Sequence, residues 1–308
     1  MKSSVCFIMP YFGKLPDSFP YWLNCCKNNP DFNWLILTDD RTQYDLPQNV
    51  TIRYTTLQNI KDHVEEKFEW CVPLEKPYKL CDYKPLYGWL FDEELKGFTH
   101  WGYGDMDLLL GQLSSFITDD MLMRYAKISK LGHLSILQNS PEINSAFKDC
   151  SYKEIFQSPR IATFDEVRFE PNINSILEQK GKKVLKTLPY ADIAQEHYNF
   201  HRTEYRSGNR TSYCKYVPTV YRYLDGKLFK VELMKHEIVQ TEIAYAHFQK
   251  REIAFPKELK SRYMLVPNKI IDDVSLDEAA MKEFCKDDIR YTVSKFSSRV
   301  KRAIKSRL

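Results

Sequence analysis

No stretch of the chain approaches the roughly 18 to 20 apolar residues that a membrane-spanning helix needs. The early run Val5-Cys6-Phe7-Ile8-Met9 is too short for a signal-peptide core and lacks a small-residue cleavage site, so it reads as a buried first strand. Cys-x-x-Cys is absent among eight cysteines, and Cys25-Cys26 is a vicinal pair that rarely bridges. A disulfide scaffold and a structural zinc site are therefore disfavoured; the thiols read as reduced, mostly buried and cytosolic. Gly-x-Gly-x-x-Gly, Walker-type loops and Gly-x-Ser-x-Gly are also missing. Their absence argues against dinucleotide enzymes, P-loop ATPases and α/β-hydrolases. There is no internal repeat or low-complexity segment, and no clear linker before about residue 256.

What is present is the composition of a globular protein. Hydrophobic residues make up 43% and charged residues 28% of 308, enough to bury a core without staples. The net charge of +4 is unevenly placed: residues 289–308 carry seven Lys and Arg and no acid, leaving the rest at about −3. A nucleic-acid-binding body is disfavoured.

The first half alternates short apolar strands (Val5–Met9, Trp34–Thr38, Val50–Tyr54, Phe98–Tyr103) with helical stretches over Ser18–Asn28, Leu57–Trp70 and Tyr78–Leu95, the last divided by Pro85. This alternation predicts an α/β fold with a mostly parallel central sheet flanked by helices. In the second half, Asp225-Gly226 suits a type I′ turn between Tyr221–Leu224 and Lys227–Glu232, followed by a strand over Ile238–Phe248.

The sharpest chemical feature is Asp105-Met106-Asp107 at a strand end. In an open parallel sheet, ligands bind beyond the carboxyl ends of the strands. Two carboxylates there can meet Mn²⁺ or Mg²⁺ whose coordination is completed by substrate phosphates. A plain surface turn is the alternative. The phosphatase nucleophile with the same letters fits less well, because it needs apolar residues immediately before the motif and lies near the N-terminus.

Five segments follow one another in order: Tyr11-Phe12-Gly13-Lys14-Leu15-Pro16, Leu37-Thr38-Asp39-Asp40, Lys79-Leu80-Cys81-Asp82-Tyr83-Lys84-Pro85, Gly102-Tyr103-Gly104-Asp105-Met106-Asp107 and His247-Phe248-Gln249-Lys250-Arg251. With Gly132-His133-Leu134, Phe164-Asp165-Glu166 and Asp225-Gly226-Lys227-Leu228, they resemble a bacterial family of glycosyltransferase-like proteins of polysaccharide biosynthesis. The resemblance spans roughly residues 4 to 252. It is similar, more distantly, to the GT-A enzymes that include lipopolysaccharide galactosyltransferases and glycogenins. It implies a GT-A-like, Rossmann-like fold over 1–255, with a nucleotide-sugar-binding half (1–112) and an acceptor half (113–255), then an extension (256–308). It also implies that Pro10, Tyr11, Phe12 and Asp39 meet the nucleotide, and that Asp105, Asp107 and His247 hold the metal, Asp105 also serving the ribose. Lys250 or Arg251 would meet the diphosphate.

Chemistry agrees with that mapping: a divalent ion plus Lys or Arg stabilises a leaving diphosphate, and Lys84 could add to it or be a helix-surface lysine. Asp165 and Glu166 are candidates for the base towards the acceptor or for stabilising oxocarbenium character, or else an exposed helix start. His133 faces the donor sugar or sits in a turn. His197 and His201, at i and i+4 after Glu196, read as acceptor-side surface and not as zinc ligands.

The expected activity is transfer of a hexose from a nucleotide diphosphate sugar, UDP-linked, to a glycan or lipid-linked glycan acceptor of capsule, O-antigen or lipooligosaccharide assembly. Retention follows from the distant likeness. The rivals are a metal-dependent phosphoryl or nucleotidyl transferase and a non-catalytic carbohydrate-binding protein. Ile289, Val293, Phe296, Val300 and Ile304 fall on one helical stripe opposite most of the tail's cations. Residues 289–308 thus form a basic amphipathic helix suited to the anionic inner face of a plasma membrane, or packed on the protein's own body. The expected location is cytoplasmic, peripheral on that membrane.

Overall fold

A computed structural model describes residues 2–166, 170–206, 210–249 and 251–295. The chain folds as two compact units. One is built from residues up to Met106 and from Ser114–Leu188; the other from Asp107–Leu113, Pro189–Arg206 and Thr211 onward. In chain order the first strands are β1 (Val5–Pro10), β2 (Phe32–Thr38), β3 (Val50–Tyr54), β4 (His100–Gly104), β5 (Leu108–Leu110), β6 (Lys127–Ile128), β7 (Leu134–Gln138) and β8 (Val184–Leu185). There follow β9 (Tyr190–Ile193), β10 (Arg202–Arg206), β11 (Arg210–Tyr213), β12 (Thr219–Leu224), β13 (Lys227–Met234), β14 (Glu237–Ile243), β15 (Tyr245–His247), β16 (Arg262–Val266) and β17 (Lys269–Asp272).

The first unit carries a seven-stranded sheet ordered β3-β2-β1-β4-β7-β6-β8. The four strands β3-β2-β1-β4 run parallel, as the alternation of apolar runs and helices requires. β1 is buried on both faces, so its apolar run is continuous instead of alternating. The helix α1 (Phe19–Lys27), with Pro20 in its first turn, buries Tyr21, Trp22, Cys25 and Cys26. The next, α2 (Leu57–Phe68), is capped by the Thr56 hydroxyl, which accepts from the Asn59 N–H, and ends at Glu69 in the left-handed region. Its Ile60, Val64 and Phe68 form one stripe facing the core. Residues 77–90 are not one helix divided at Pro85 but four short helical pieces.

Beyond β4 the sheet is no longer uniformly parallel. β7 runs antiparallel to both β4 and β6. Only the five residues 129–133 join β6 to β7, and a parallel partner needs a crossover of about a dozen residues or more. The seven-stranded sheet is therefore mixed, parallel over β3-β2-β1-β4 and again between β6 and β8 with β7 reversed, and the architecture is α/β with three sheets.

The second unit holds the other two sheets, ordered β11-β10-β9-β15-β5 and β14-β13-β12-β16-β17. The latter is antiparallel throughout, with two-residue turns joining β12 to β13, β13 to β14 and β16 to β17. At Asp225-Gly226 both φ angles are positive, as a type I′ turn requires, and Lys235-His236 repeats this between β13 and β14. The expected single strand over Ile238–Phe248 is two: β14 pairs with β13, then the chain changes sheet at Ala244 so that β15 pairs with β5 and β9. Gly111 permits the crossing, because a Cβ there would lie 2.6 Å from the Ile243 carbonyl oxygen. β16 and β17 carry this unit past residue 255.

Candidate functional site

The first unit gathers an acid–lysine cluster. The Lys84 side chain is nearly buried, its Nζ donating to Asp105 Oδ1 at 2.8 Å and to the Gly132 carbonyl at 2.9 Å, with Asp165 Oδ2 at 3.3 Å. Burial opposes its charge, but Asp105 and Asp165 prevail and hold its pKa well above that of a free lysine. Lys84 is thus no surface lysine. Asp165 is only 2% exposed and does not begin an exposed helix. Burial, countered by Lys84 and reinforced by Asp105, pushes its carboxyl up to about 6. Glu166 is half-buried beside it. Gly132 lets these groups close up, since a Cβ there would sit 2.3 Å from Asp165 Oδ2.

This cluster is braced from beneath. Asp82, fully buried, accepts from the Ala162 and Phe164 N–H groups and from Lys79 Nζ at 2.8 Å. Lys79 also donates to the Ile155 and Arg160 carbonyls. One short helical stretch therefore supplies Lys84 to the cluster and, through Asp82, anchors the segment that carries Asp165.

The loop after β1 is shaped by the acids that end β2. Asp39 Oδ1 accepts from the Gly13 N–H at 2.7 Å, where φ is +90°, and Asp40 Oδ2 accepts from Leu15 at 2.8 Å. Tyr11 N donates to the Leu37 carbonyl, and Phe12 packs against the core. Pro10, Tyr11, Phe12 and Asp39 are thereby brought together, with Asp39 exposed and one of its oxygens already engaged.

In the second unit, Asp107 precedes β5 and His247 ends β15, and these strands pair antiparallel. His247 Nε2 lies 3.4 Å from Asp107 Oδ1, and its Nδ1 lies 2.8 Å from Asp192 Oδ1. Burial disfavours the imidazolium, but Asp107 and Asp192 raise the His247 pKa well above that of a free histidine. The pair offers one carboxylate oxygen and one imidazole nitrogen, both partly exposed, a donor set suited to Mn²⁺ or Mg²⁺ with other positions left to water or phosphate. Asp105 is separated from Asp107 in the chain by Met106 alone.

Other expectations are redirected. All three guanidinium nitrogens of Arg251 already donate: Nε to Asn268 Oδ1, Nη1 to the Asn199 carbonyl, and Nη2 to the His197, Tyr198 and Asn199 carbonyls. Burial pushes its pKa down to about 10. Arg251 therefore holds the fold instead of a diphosphate; Lys250 lies outside the described residues. The His197 and His201 rings stack at 4.0 Å, both half-buried, beside the buried Glu196, Asn199 and Phe200. Burial, helped by His197, brings His201 down to about 4. His133 is buried, its carbonyl accepting from the Asp105 N–H.

Asp82, Lys79, Asp192 and Lys127 escaped sequence reasoning as site residues. For Asp192 a signal existed: a lone acid inside the apolar run Ala191-Asp192-Ile193-Ala194. Lys127 is fully buried, donating to the Ser129 carbonyl and to Ser135 Oγ. Burial pushes its pKa from 10.5 down to about 7. Between pH 7 and 10.5 the unfolded chain keeps a proton that the folded protein has released, so this group makes stability rise with pH across that window. Lys127→Met should raise stability at pH 6 by about 2 kcal/mol or more, the gain shrinking towards pH 10. Urea unfolding of both proteins at pH 6, 8 and 10 measures this; a gain independent of pH would refute it.

A profile described as a family of unknown function, DUF6625, matches residues 7–274. The chain belongs to this family. No curated protein matches it by sequence. Among solved structures, it is similar to the galactosyltransferase LgtC bound to donor and acceptor sugar analogues, at 10% identity and a TM-score of 0.36, covering 61% of this chain and 75% of that one. It is similar also to mouse xyloside xylosyltransferase 1, at 8% identity and 0.34, covering 63% and 88%. The glycosyltransferase GlyE of Streptococcus pneumoniae TIGR4 matches at 12% identity and 0.28, covering 60% and 46%. Scores of this size do not define a shared fold.

Proposed function

We propose that this protein is a metal-dependent glycosyltransferase with a GT-A-like scaffold, moving a hexose from a UDP-linked sugar to a glycan acceptor. The observation that carries the reading is the Asp107–His247 pair, an oxygen and a nitrogen donor at 3.4 Å whose imidazole is held from behind by Asp192. The ordered motifs of the sequence supply the rest. Mn²⁺ or Mg²⁺ would be held by Asp107 and His247, with Asp105 as the third ligand named by the sequence motif. When bound, the ion supplies Lewis-acid stabilisation of the leaving diphosphate.

The protein's own groups divide the remaining work. The loop of Pro10, Tyr11 and Phe12, shaped by Asp39, receives the nucleotide. Lys84 sets the charge beside Asp105, and Lys250 is the cation for the diphosphate. Asp165 keeps Lys84 in place, and Glu166 serves as the carboxylate towards the acceptor or the sugar cation. The acceptor is a lipid-linked intermediate of capsule, O-antigen or lipooligosaccharide assembly, and the anomeric configuration is retained.

Thermal melting with UDP-, GDP- and CMP-sugars, with and without Mn²⁺, tests this. A ligand at a hundred times its Kd stabilises by about 2.7 kcal/mol. Mn²⁺-dependent stabilisation by a UDP-sugar is expected. Stabilisation by nucleoside triphosphates and by no nucleotide sugar would favour a nucleotidyl or phosphoryl transferase instead.

The acceptor also motivates a membrane role for residues 289–308. Residues 289–295 are helical, with Ile289 72% and Val293 60% exposed, so this part of the apolar stripe is not packed away. Tyr291 instead faces the second unit, its hydroxyl donating to the Gln195 carbonyl. Phe296, Val300 and Ile304 lie outside the described residues. The full chain should co-sediment with anionic liposomes at low salt, whereas a chain ending at Asp288 should not. Equal behaviour of the two would end this part of the proposal.

A further inference from the structure

Resting on the metal reading above, we infer that Asp192 is a positioning residue that fixes His247 as a metal ligand through Nε2. The strands dictate the arrangement. His247 on β15 is the register partner of Asp192 on the parallel β9, and Asp192 is in turn the partner of Thr203 on the antiparallel β10. Register partners present their side chains to the same face of a sheet, so three polar residues converge. Asp192 is 1% exposed and accepts from three donors: His247 Nδ1 at 2.8 Å and Gln249 Nε2 at 2.7 Å on Oδ1, and Thr203 Oγ1 at 2.9 Å on Oδ2.

An ionised carboxylate only accepts, so the imidazole nitrogen facing it carries the proton. Nδ1–H is thereby committed to Asp192, and Nε2 is the nitrogen left to bind a cation beside Asp107. A buried carboxylate also needs a compensating positive charge, and of these three donors only His247 can provide one, as imidazolium or as metal-bound imidazole. When a cation binds, any proton on Nε2 leaves to solvent while the Nδ1 proton stays on the Asp192 bond. A carboxylate behind a ligating histidine fixes its tautomer and ring orientation and increases its basicity. Gln249 and Thr203 hold the carboxylate itself, since Gln249 Nε2 also lies 3.2 Å from Thr203 Oγ1.

The test uses the full chain and Mn²⁺ alone. Free Mn²⁺ is followed by electron paramagnetic resonance, and direct nitrogen ligation by the pulsed ¹⁴N signal, with His247→Ala assigning that signal. Wild type should bind Mn²⁺ and show the histidine nitrogen. Asp192→Ala should bind about 10- to 100-fold more weakly and lose the signal. Asp192→Asn, whose amide oxygen can still accept from Nδ1, should recover part of both. Melting curves confirm folding, and if Asp192→Ala does not fold, the near-isosteric Asn variant decides by its affinity against wild type. Wild-type affinity with the nitrogen signal intact in the variants would make Asp192 a residue of the fold only and overturn the inference. Mn²⁺ binding by wild type without the His247 nitrogen would overturn it while leaving an aspartate-held metal. Absence of Mn²⁺ binding by wild type would instead refute the metal reading, and the inference with it.

Discussion

Asp82→Ala should destabilise the protein by about 3–5 kcal/mol, the range for breaking a buried ion pair by removing one partner. The Lys79 side chain is almost wholly buried, and Asp82 is its paired charge at 2.8 Å. Without the carboxylate, that ammonium keeps, among the described residues, only the carbonyls of Ile155 and Arg160. The N–H groups of Ala162 and Phe164 also lose their acceptor. An unsatisfied buried donor costs about 1–3 kcal/mol, so the effects compound. The double variant Lys79→Met, Asp82→Leu should recover much of the loss, because replacing a whole buried pair costs far less than halving it. Urea unfolding of the single and double variants gives both values. A single variant within 1 kcal/mol of wild type would mean that water, not this pair, carries the charge.

Asp107→Ala should lose metal-dependent donor binding and transfer by about 100-fold or more while staying folded. Even an outer partner of a metal ligand is worth about 10- to 100-fold, and a ligand should be worth no less. Stability should change little, because Asp107 is 28% exposed and His247 keeps its bond to Asp192. Transfer by wild type should also stop with EDTA and return with Mn²⁺ or Mg²⁺. An Asp107→Ala protein with full activity would refute the metal assignment, whereas loss of folding would show that the Asp107–His247 pair serves the core.

These two variants separate what local pattern conveys from what it does not. The Asp-Gly hairpin at 225–226 was legible, since it depends on a backbone preference intrinsic to the two residues. The same holds for Asp105 and Asp107 as a pair, which one intervening residue keeps together in any fold. Lys84 was legible as a cation of interest, but its partners were not: Asp105 is 21 positions away and Asp165 is 81. Arg251 shows the reverse error. Its place after His247 suggested a phosphate ligand, yet its guanidinium is committed to backbone carbonyls more than fifty residues upstream.

Periodicity and composition were sufficient to predict an α/β chain with a buried apolar first strand and early strands that run parallel. They specified, too, an aspartate pair at a strand end, while the late histidine His247 was named only by the resemblance of the ordered motifs. Such features are local, because strand burial, turn geometry and adjacent carboxylates are properties of a few consecutive residues. The antiparallel turn of the sheet at β7, the change of sheet at Ala244, and the use of Asp82 as a brace and Asp192 as the acceptor behind His247 arose only on folding. Each depends on a strand register or a buried charge partner supplied from tens of residues away. A buried polar side chain has no fixed role until its neighbours are known: the same aspartate is a cap, a ligand or a counter-ion according to which donors close around it.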